Sequence, residues 1–324
     1  MSEHESVSPP QQPQQQESSA TETSDASFVE TSEHRRFVEF CDACRTYRYI
    51  GLCYGPPGVG KTLSARHYSR ADSLADYDRW NDATIPPIMF DTVLYTAEVI
   101  NTPSRIASDL GRARETLTGI AVRPIEREAR TVLETIRLRD EARRREILDR
   151  PGCSPCDRPT MDPIYFQTHQ YYQARQKEVS DPTTLIVVYE ADRLQMNSLE
   201  QVRSVFDSGD MGMILIGMPG IEKRIARFPQ LYSRIGFVHE FRPLGAAEVQ
   251  ELLERCWTPP GVTLPDGGLT PEVIACLVRM TGGNLRLLTR LLTQVERVLG
   301  VNDTRVISVE IVEAARDSLV IGQV

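Results

Sequence analysis

The sequence predicts an α/β core built on a parallel sheet, followed by a smaller all-helical region. Three observations predict it. The stretch "GLCYGPPGVGKTLSARHY" (residues 51–68) reads as a short apolar strand, a glycine-rich turn and a helix. "TTLIVVY" and "MGMILIGMP" are apolar, β-branched runs bounded by turn residues, the pattern of strands buried on both faces. After "RPLG" the strand pattern stops, and residues 245–257, 270–280, 284–299 and 308–319 read as four amphipathic helices.

Residues 1–32 are rich in Gln, Pro, Ser, Thr and Glu and are predicted to be a disordered tail, since such a segment buries too little apolar surface to offset chain entropy. From Glu33 the pattern turns helical, with Phe37, Phe40, Cys41 and Cys44 at spacings of three and four. The strand "YIGLCYG" and the glycine-rich turn with its helix follow. "PPIMFDTVLYT" reads as a second strand and "PSRIASDLGRARETL" as a helix.

Arg123–Arg150 is charged with near-balanced arginines and acids, which predicts an exposed helix inside an insertion around 120–180; "PGCSPCDRPTMDP" is predicted to be a loop. "SLEQVRSVFD" and "GIEKRIARFP" read as helices and "GFVHEF" as a short strand. The domain plan is therefore 33–243 for the α/β part and 244–324 for the helical part. Thr270 and Ser308 stand where helix caps are expected.

Hydrophobic residues make up 40%, enough for a real core in a chain of 324 residues. The net charge of −8 is unevenly placed. The first 34 residues carry seven acids and no Lys or Arg, so the remainder is close to neutral and nucleic acid is not excluded as a partner. No apolar run approaches membrane-spanning length and no signal-peptide pattern opens the chain. Seven cysteines without a secretion signal predict reduced thiols in a cytoplasmic protein.

Gly55, Pro56, Pro57, Gly58, Val59, Gly60, Lys61 and Thr62 match G-x-x-x-x-G-K-[ST] in full. In such a loop, backbone N–H groups wrap phosphates and the helix beyond points its positive end at them. Lys61 is predicted to reach the β- and γ-phosphates and the Thr62 hydroxyl to bind Mg²⁺, with Leu63 next along the helix.

The apolar strand ending in Tyr189-Glu190 is the expected acidic partner. In phosphoryl-transfer sites of this kind an aspartate helps hold Mg²⁺ and a neighbouring residue orients the attacking water. Glu190 falls on the water-orienting position. Tyr189 stands where the aspartate is expected, and a phenol is neutral near pH 7. Three outcomes follow from the residues: Mg²⁺ held by Thr62, phosphates and water with slow turnover; Glu190 or Asp192 shifted inward to help; or a nucleotide-dependent switch with little hydrolysis.

With these elements in order, residues 35–320 resemble the AAA+ ATPases, and within them the transposition target-selector ATPases of the TniB, TnsC, MuB and IstB types. The resemblance is carried by "CYGPPGVGKT", "LIVVYEADRL", "MILIGMPGIEKRIARFPQLYSRIGFVHEFRPL" and "GGNLRLL". It implies a P-loop AAA+ core with a helical lid, ATP as the nucleotide, and a homo-oligomeric ring or filament on double-stranded DNA that directs a transposase to its target. "LYSRIG" resembles the segment that lends an arginine to a neighbouring subunit's γ-phosphate, which implies Arg234 in that role, with Arg227 second. "GGNLRLL" resembles the motif that carries a nucleotide-sensing arginine on the lid, which implies Arg286. Gly217-Met218 departs from the family pattern, which expects a polar residue there, and this points again to slow hydrolysis.

The chain ends just after the helical region, so DNA contact is expected from the core itself. Arg105, Arg112 and Arg114 are the candidates, on the helix after the second strand, where related ATPases carry DNA-tracking residues. Arg143, Arg144 and Arg145 form a second basic cluster, whose flanking acids point to a solvated helix face. Cys41/Cys44 and Cys153/Cys156 mimic the spacing of a four-thiolate zinc site. The first pair, however, shares a helix face with Phe37 and Phe40 and is expected to pack in the core. The readings set beside transposition are another AAA+ machine, initiator-like or secretion-associated, and a nucleotide-sensing signalling or defence module.

Overall fold

The computed structural model describes residues 28–80, 90–150, 162–257 and 269–319. Five strands, β1 (Ile50–Tyr54), β2 (Thr92–Thr96), β3 (Leu185–Tyr189), β4 (Gly212–Gly217) and β5 (Ile235–Glu240), form one sheet in the order β2-β3-β4-β1-β5. Every pairing is parallel. The order places β1 between β4 and β5, so the glycine-rich turn after β1 opens where the strand order reverses, the usual ligand position in such sheets.

Strand side chains alternate between two apolar layers, as a period of two requires. Ile50, Leu52, Ile186, Val188, Met213 and Leu215 face one layer, and Cys53, Leu185, Val187, Ile214 and Ile216 the other. The first layer is completed by Ile106, Leu110 and Leu117 of α4 (Pro103–Leu148) and by Leu199 and Val202 of α6 (Met196–Ser208). The second is completed by Phe37, Phe40, Cys41 and Cys44 of α1 (Ser32–Tyr47) and by Ala65 of α2 (Lys61–Tyr68). Cys41 and Cys44 are fully buried, and burial pushes the Cys41 thiol up and the Cys44 thiol up to about 12. Cys153 and Cys156 lie outside the described residues, as do the tail to residue 27 and most of the predicted loop at 151–163.

The insertion departs from expectation. The helix expected at 103–117 and the one expected at 123–150 are a single helix, α4, which runs through Pro124. A proline inside a helix removes one hydrogen bond and crowds the preceding turn. Here the residues flanking Pro124 are anchored: Arg123 donates to the Tyr77 carbonyl at 3.2 Å and Arg127 to the Tyr77 hydroxyl at 2.7 Å. Tyr77 belongs to α3 (Ala71–Trp80), a helix the sequence pattern did not suggest.

The outer half of α4 packs against α5 (Pro163–Lys177), also unpredicted. Glu128 holds the pair, accepting from the Tyr172 hydroxyl at 3.0 Å and from Arg175 at 3.1 Å. "GIEKRIARFP", expected as one helix, forms only the short α7 (Ile221–Ile225), and a second short helix, α8 (Pro229–Tyr232), starts at its final proline.

After β5 come α9 (Ala246–Cys256), α10 (Pro271–Thr281), α11 (Leu285–Val301) and α12 (Val309–Asp317). They bury a core of their own around Val249, Leu277, Leu288, Leu291 and Val312. The Thr270 side chain accepts from the Val273 N–H, as a cap should. Ser308 occupies the cap position of α12, but its hydroxyl bonds no N–H of that helix, which corrects the expectation there.

Candidate nucleotide site

The turn after β1 is held open by glycine geometry and by contact with α11. Gly58 has φ +81°, a conformation that costs an L-residue about 1–2 kcal/mol. A Cβ there would also lie 2.4 Å from Asn284 Oδ1. No side chain caps the first turn of α2, so its leading N–H groups remain available to an anion. Lys61 is buried, and its Nζ donates to the Gly55 carbonyl at 2.5 Å and the Pro56 carbonyl at 2.7 Å. An ammonium has three donors, so one remains for a phosphate oxygen. Burial pushes the Lys61 pKa down; the nearby negative charge of Asp192 pulls it up and the positive charge of Arg286 pushes it down further.

At the end of β3, Thr62 donates its hydroxyl to the Tyr189 phenol oxygen at 2.5 Å. Glu190 follows in a left-handed conformation, φ +57°. Its carboxylate pairs with Arg193, which also donates to the Ala97 carbonyl at 3.3 Å. Ala97 directly follows β2, so Glu190 leans toward the sheet edge and away from β4 and β1. Asp192 sits in a 3₁₀ turn (Ala191–Arg193), and its Oδ1 accepts from the Met218 N–H at 3.1 Å, just past β4.

The helical region closes directly on the loop. Asn284, the N-cap of α11, donates from Nδ2 to the Pro57 carbonyl at 2.6 Å and accepts from the Leu287 N–H at 3.2 Å. The Arg286 N–H donates to the Gly58 carbonyl at 3.0 Å. One end of α11 therefore touches the loop through both backbone and side chain.

Residues 44–225 match the AAA domain family, more than half of the chain. The chain belongs to the AAA domain family. It is also 36% identical over 307 residues to a protein of Staphylococcus aureus described as a "potential ATP-binding protein", covering 93% of this chain and 99% of that one. Among solved structures, a variant of Thermotoga maritima RuvB has a TM-score of 0.50 at 14% identity and covers 90% of this chain and 70% of that chain. Aeropyrum pernix Orc1 in complex with DNA has a TM-score of 0.48 at 16% identity and covers 91% of this chain and 67% of that chain. At 14% identity the likeness to RuvB shows the fold alone: a P-loop AAA+ sheet followed by a mostly helical region.

A cavity of about 960 Å³ opens beside Gly60 and Leu63 and runs between α2 and α11. Phe28, His34 and His67 line it, residues the sequence reading did not single out. Phe28 stacks on His67 with centroids 3.8 Å apart, and His34 meets both rings edge-on. Burial pushes the His34 pKa down, which disfavours a charge on that ring. Mg²⁺, which the family implies with ATP, takes oxygen ligands. The Thr62 hydroxyl and the Asp192 carboxylate, whose charge reaches the neighbouring Lys61, are oxygen donors of this kind, so the residues present fit it.

The remaining candidates are spread over the surface. Arg234 follows α8 and is bound by Asp207 of α6, its Nη2 donating at 2.8 Å, so the arginine expected to reach a neighbouring subunit is already held. Arg227 is exposed, and no ion pair joins it among the described residues. Arg286 is exposed too, and its charge reaches Lys61. Arg105 bonds Glu98 at 2.9 Å, Arg112 pairs with Asp109, and Arg114 bonds Asp181 at 2.7 Å. Among the described residues no helix is long and apolar enough to cross a membrane, and no group of three or more His, Cys, Asp or Glu gathers to hold a metal ion.

Proposed function

We propose that this chain is an ATP-dependent AAA+ regulator of DNA transposition, which assembles as a homo-oligomer on double-stranded DNA and recruits or activates a transposase there. Asn284 and Arg286 tie the phosphate loop to the helical lid, and this observation carries the nucleotide-switch part of the reading. Any ligand that rearranges Pro57 and Gly58 must move or break these two bonds, so loop occupancy is coupled to lid position. A second observation supports slow turnover: the Thr62 hydroxyl is spent on a neutral phenol rather than left beside a carboxylate. Such a site holds nucleotide as a signal for longer than one tuned for rapid hydrolysis.

The DNA and transposase part rests on the resemblance of the central block, "MILIGMPGIEKRIARFPQLYSRIGFVHEFRPL", to the target-selector ATPases. Arg105, Arg112 and Arg114 keep their proposed role, with a condition: each must exchange a carboxylate partner for a phosphate. Such surface pairs are worth about 1 kcal/mol or less, so a polyanion displaces them readily. Repetition along an oligomer multiplies a weak contact.

The test is fluorescence anisotropy on generic double-stranded DNA with ATP, ADP or no nucleotide, with phosphate release followed in parallel. The expected result is ATP-dependent, salt-sensitive binding with slow release. Absence of binding under every nucleotide at low salt would remove the DNA role and leave the protein-partner readings.

A further inference from the structure

We propose that Asp192 is the working carboxylate of the nucleotide site, holding the hydrated divalent cation at the phosphates in place of the aspartate that Tyr189 replaces. The proposal rests on the nucleotide-binding part of the function above and names a residue for it. Three acid or phenol side chains stand at the end of β3, and the structure sorts them. Tyr189 is engaged with Thr62 and brings no charge. Glu190 is turned toward β2, its carboxylate paired with Arg193. Asp192 is turned the opposite way, toward β4, and its charge is felt at Lys61.

The position of Asp192 is built rather than incidental. Arg224 of α7 donates to the carbonyls of both Asp192 and Leu194, fixing the 3₁₀ turn that carries the carboxylate. The Met218 N–H fixes Oδ1, which leaves Oδ2 without a hydrogen-bond partner among the described residues. Gly217 makes the room: a Cβ at that residue would lie 3.0 Å from Asp192 Oδ1 and 2.6 Å from Ile221 Cδ1. A glycine stands at the end of β4, where the family pattern expects a polar side chain, and an aspartate from the neighbouring strand fills the space. One carboxylate thus answers both departures of this chain from the family pattern.

A carboxylate in this position repels bare phosphates and attracts them through a divalent cation. The experiment follows from that sign change. Binding of a fluorescent ATP analogue to the full chain is titrated with excess Mg²⁺ and again with EDTA. Wild type is expected to bind more tightly with Mg²⁺. Asp192→Asn is expected to lose about tenfold of that gain, within the range of ordinary coupling between two ligands, and to bind the Mg²⁺-free analogue at least as well as wild type. A residue that only supported the fold would weaken both conditions alike. Glu190→Gln is expected to keep the gain.

Asparagine retains the oxygen that meets Met218, so folding is expected to survive, with thermal unfolding as the control. Gly217→Ala, which crowds the carboxylate without removing it, is the second probe and is expected to lose Mg²⁺ dependence too. Full Mg²⁺ dependence in Asp192→Asn, or its loss in Glu190→Gln, would overturn the proposal while leaving nucleotide binding intact. A wild-type chain that binds no analogue in either condition would overturn both.

Discussion

Thr62 donates its hydroxyl to the phenol oxygen of Tyr189 at 2.5 Å, joining the first turn of α2 to the end of β3. The contact closes the gap that a metal-bound threonine and its partner carboxylate would otherwise share. It is a neutral bond worth about 1 kcal/mol, so it weakens rather than prevents engagement of Thr62 by a cation. Tyr189→Phe is expected to free the hydroxyl and tighten Mg²⁺-dependent ATP binding about fivefold. Tyr189→Asp is expected to raise steady-state phosphate release by about tenfold or more, since it adds charge where the family carries it. Unchanged release in Tyr189→Asp would show that the phenol does not limit turnover.

Gly58 and Asn284 give the next test. Alanine at residue 58 faces both a left-handed backbone and the Asn284 side chain at 2.4 Å. Gly58→Ala is expected to cost about 1–2 kcal/mol from the backbone alone and to separate α11 from the loop. Asn284→Ala removes a helix cap and one loop bond together, at about 1 kcal/mol for the cap. Its expected signature is weaker ATP binding with Lys61 intact, together with faster hydrogen exchange at the start of α11. ATP affinity equal to wild type would show that the lid does not read the loop.

Arg227 and Arg234 separate by stability. Arg234→Ala breaks the pair with Asp207, whose carboxyl is held below the usual range by the Arg234 hydrogen bond first. The expected cost is about 0.5–1 kcal/mol in urea unfolding, as for other partly exposed pairs. Arg227→Ala is expected to leave unfolding unchanged while reducing oligomer-dependent hydrolysis by about 10³-fold, the lower range for a trans-acting arginine. Loss of that stimulation in Arg234→Ala with unchanged unfolding would assign the role to Arg234.

The contrast between what was legible and what was not has physical causes. The phosphate loop and β3 were readable because their patterns are local: fixed glycine spacing in one, a continuous apolar run in the other. The lid helices were readable because each carries an apolar stripe against its own core. Helix α5 was not, because Tyr172 alone is buried along its length and no stripe forms. The continuity of α4 was hidden by Pro124, whose cost is offset by Tyr77 contacts far away in sequence. The opposed leanings of Glu190 and Asp192 depend on Arg193, Arg224 and the strand order, none of which a linear motif records.

His239 on β5 supplies a pH-dependent test. It packs among Phe37, Phe40 and Phe241, and its Nε2 lies 3.2 Å from Glu33 Oε1. Burial pushes the His239 pKa down to about 4, with Arg36 and Arg242 adding to the shift, while burial pushes Glu33 up. With the imidazole held neutral by burial, its contact with Glu33 is not an ion pair. For His239 the unfolded chain binds the proton more readily than the folded one. Its contribution is therefore fully present above the ordinary value of 6.5 and is lost as pH falls from there toward 4. At most about 3 kcal/mol is at stake, from a shift of that size. Glu33 acts with the opposite sign, contributing at low pH and losing its contribution as pH rises through its raised value. In His239→Phe, urea unfolding between pH 4 and 6.5 is expected to lose about one proton of pH dependence. An unchanged slope, or an imidazole that titrates near 6.5 by NMR in the folded chain, would show that His239 is not held neutral by its aromatic surroundings.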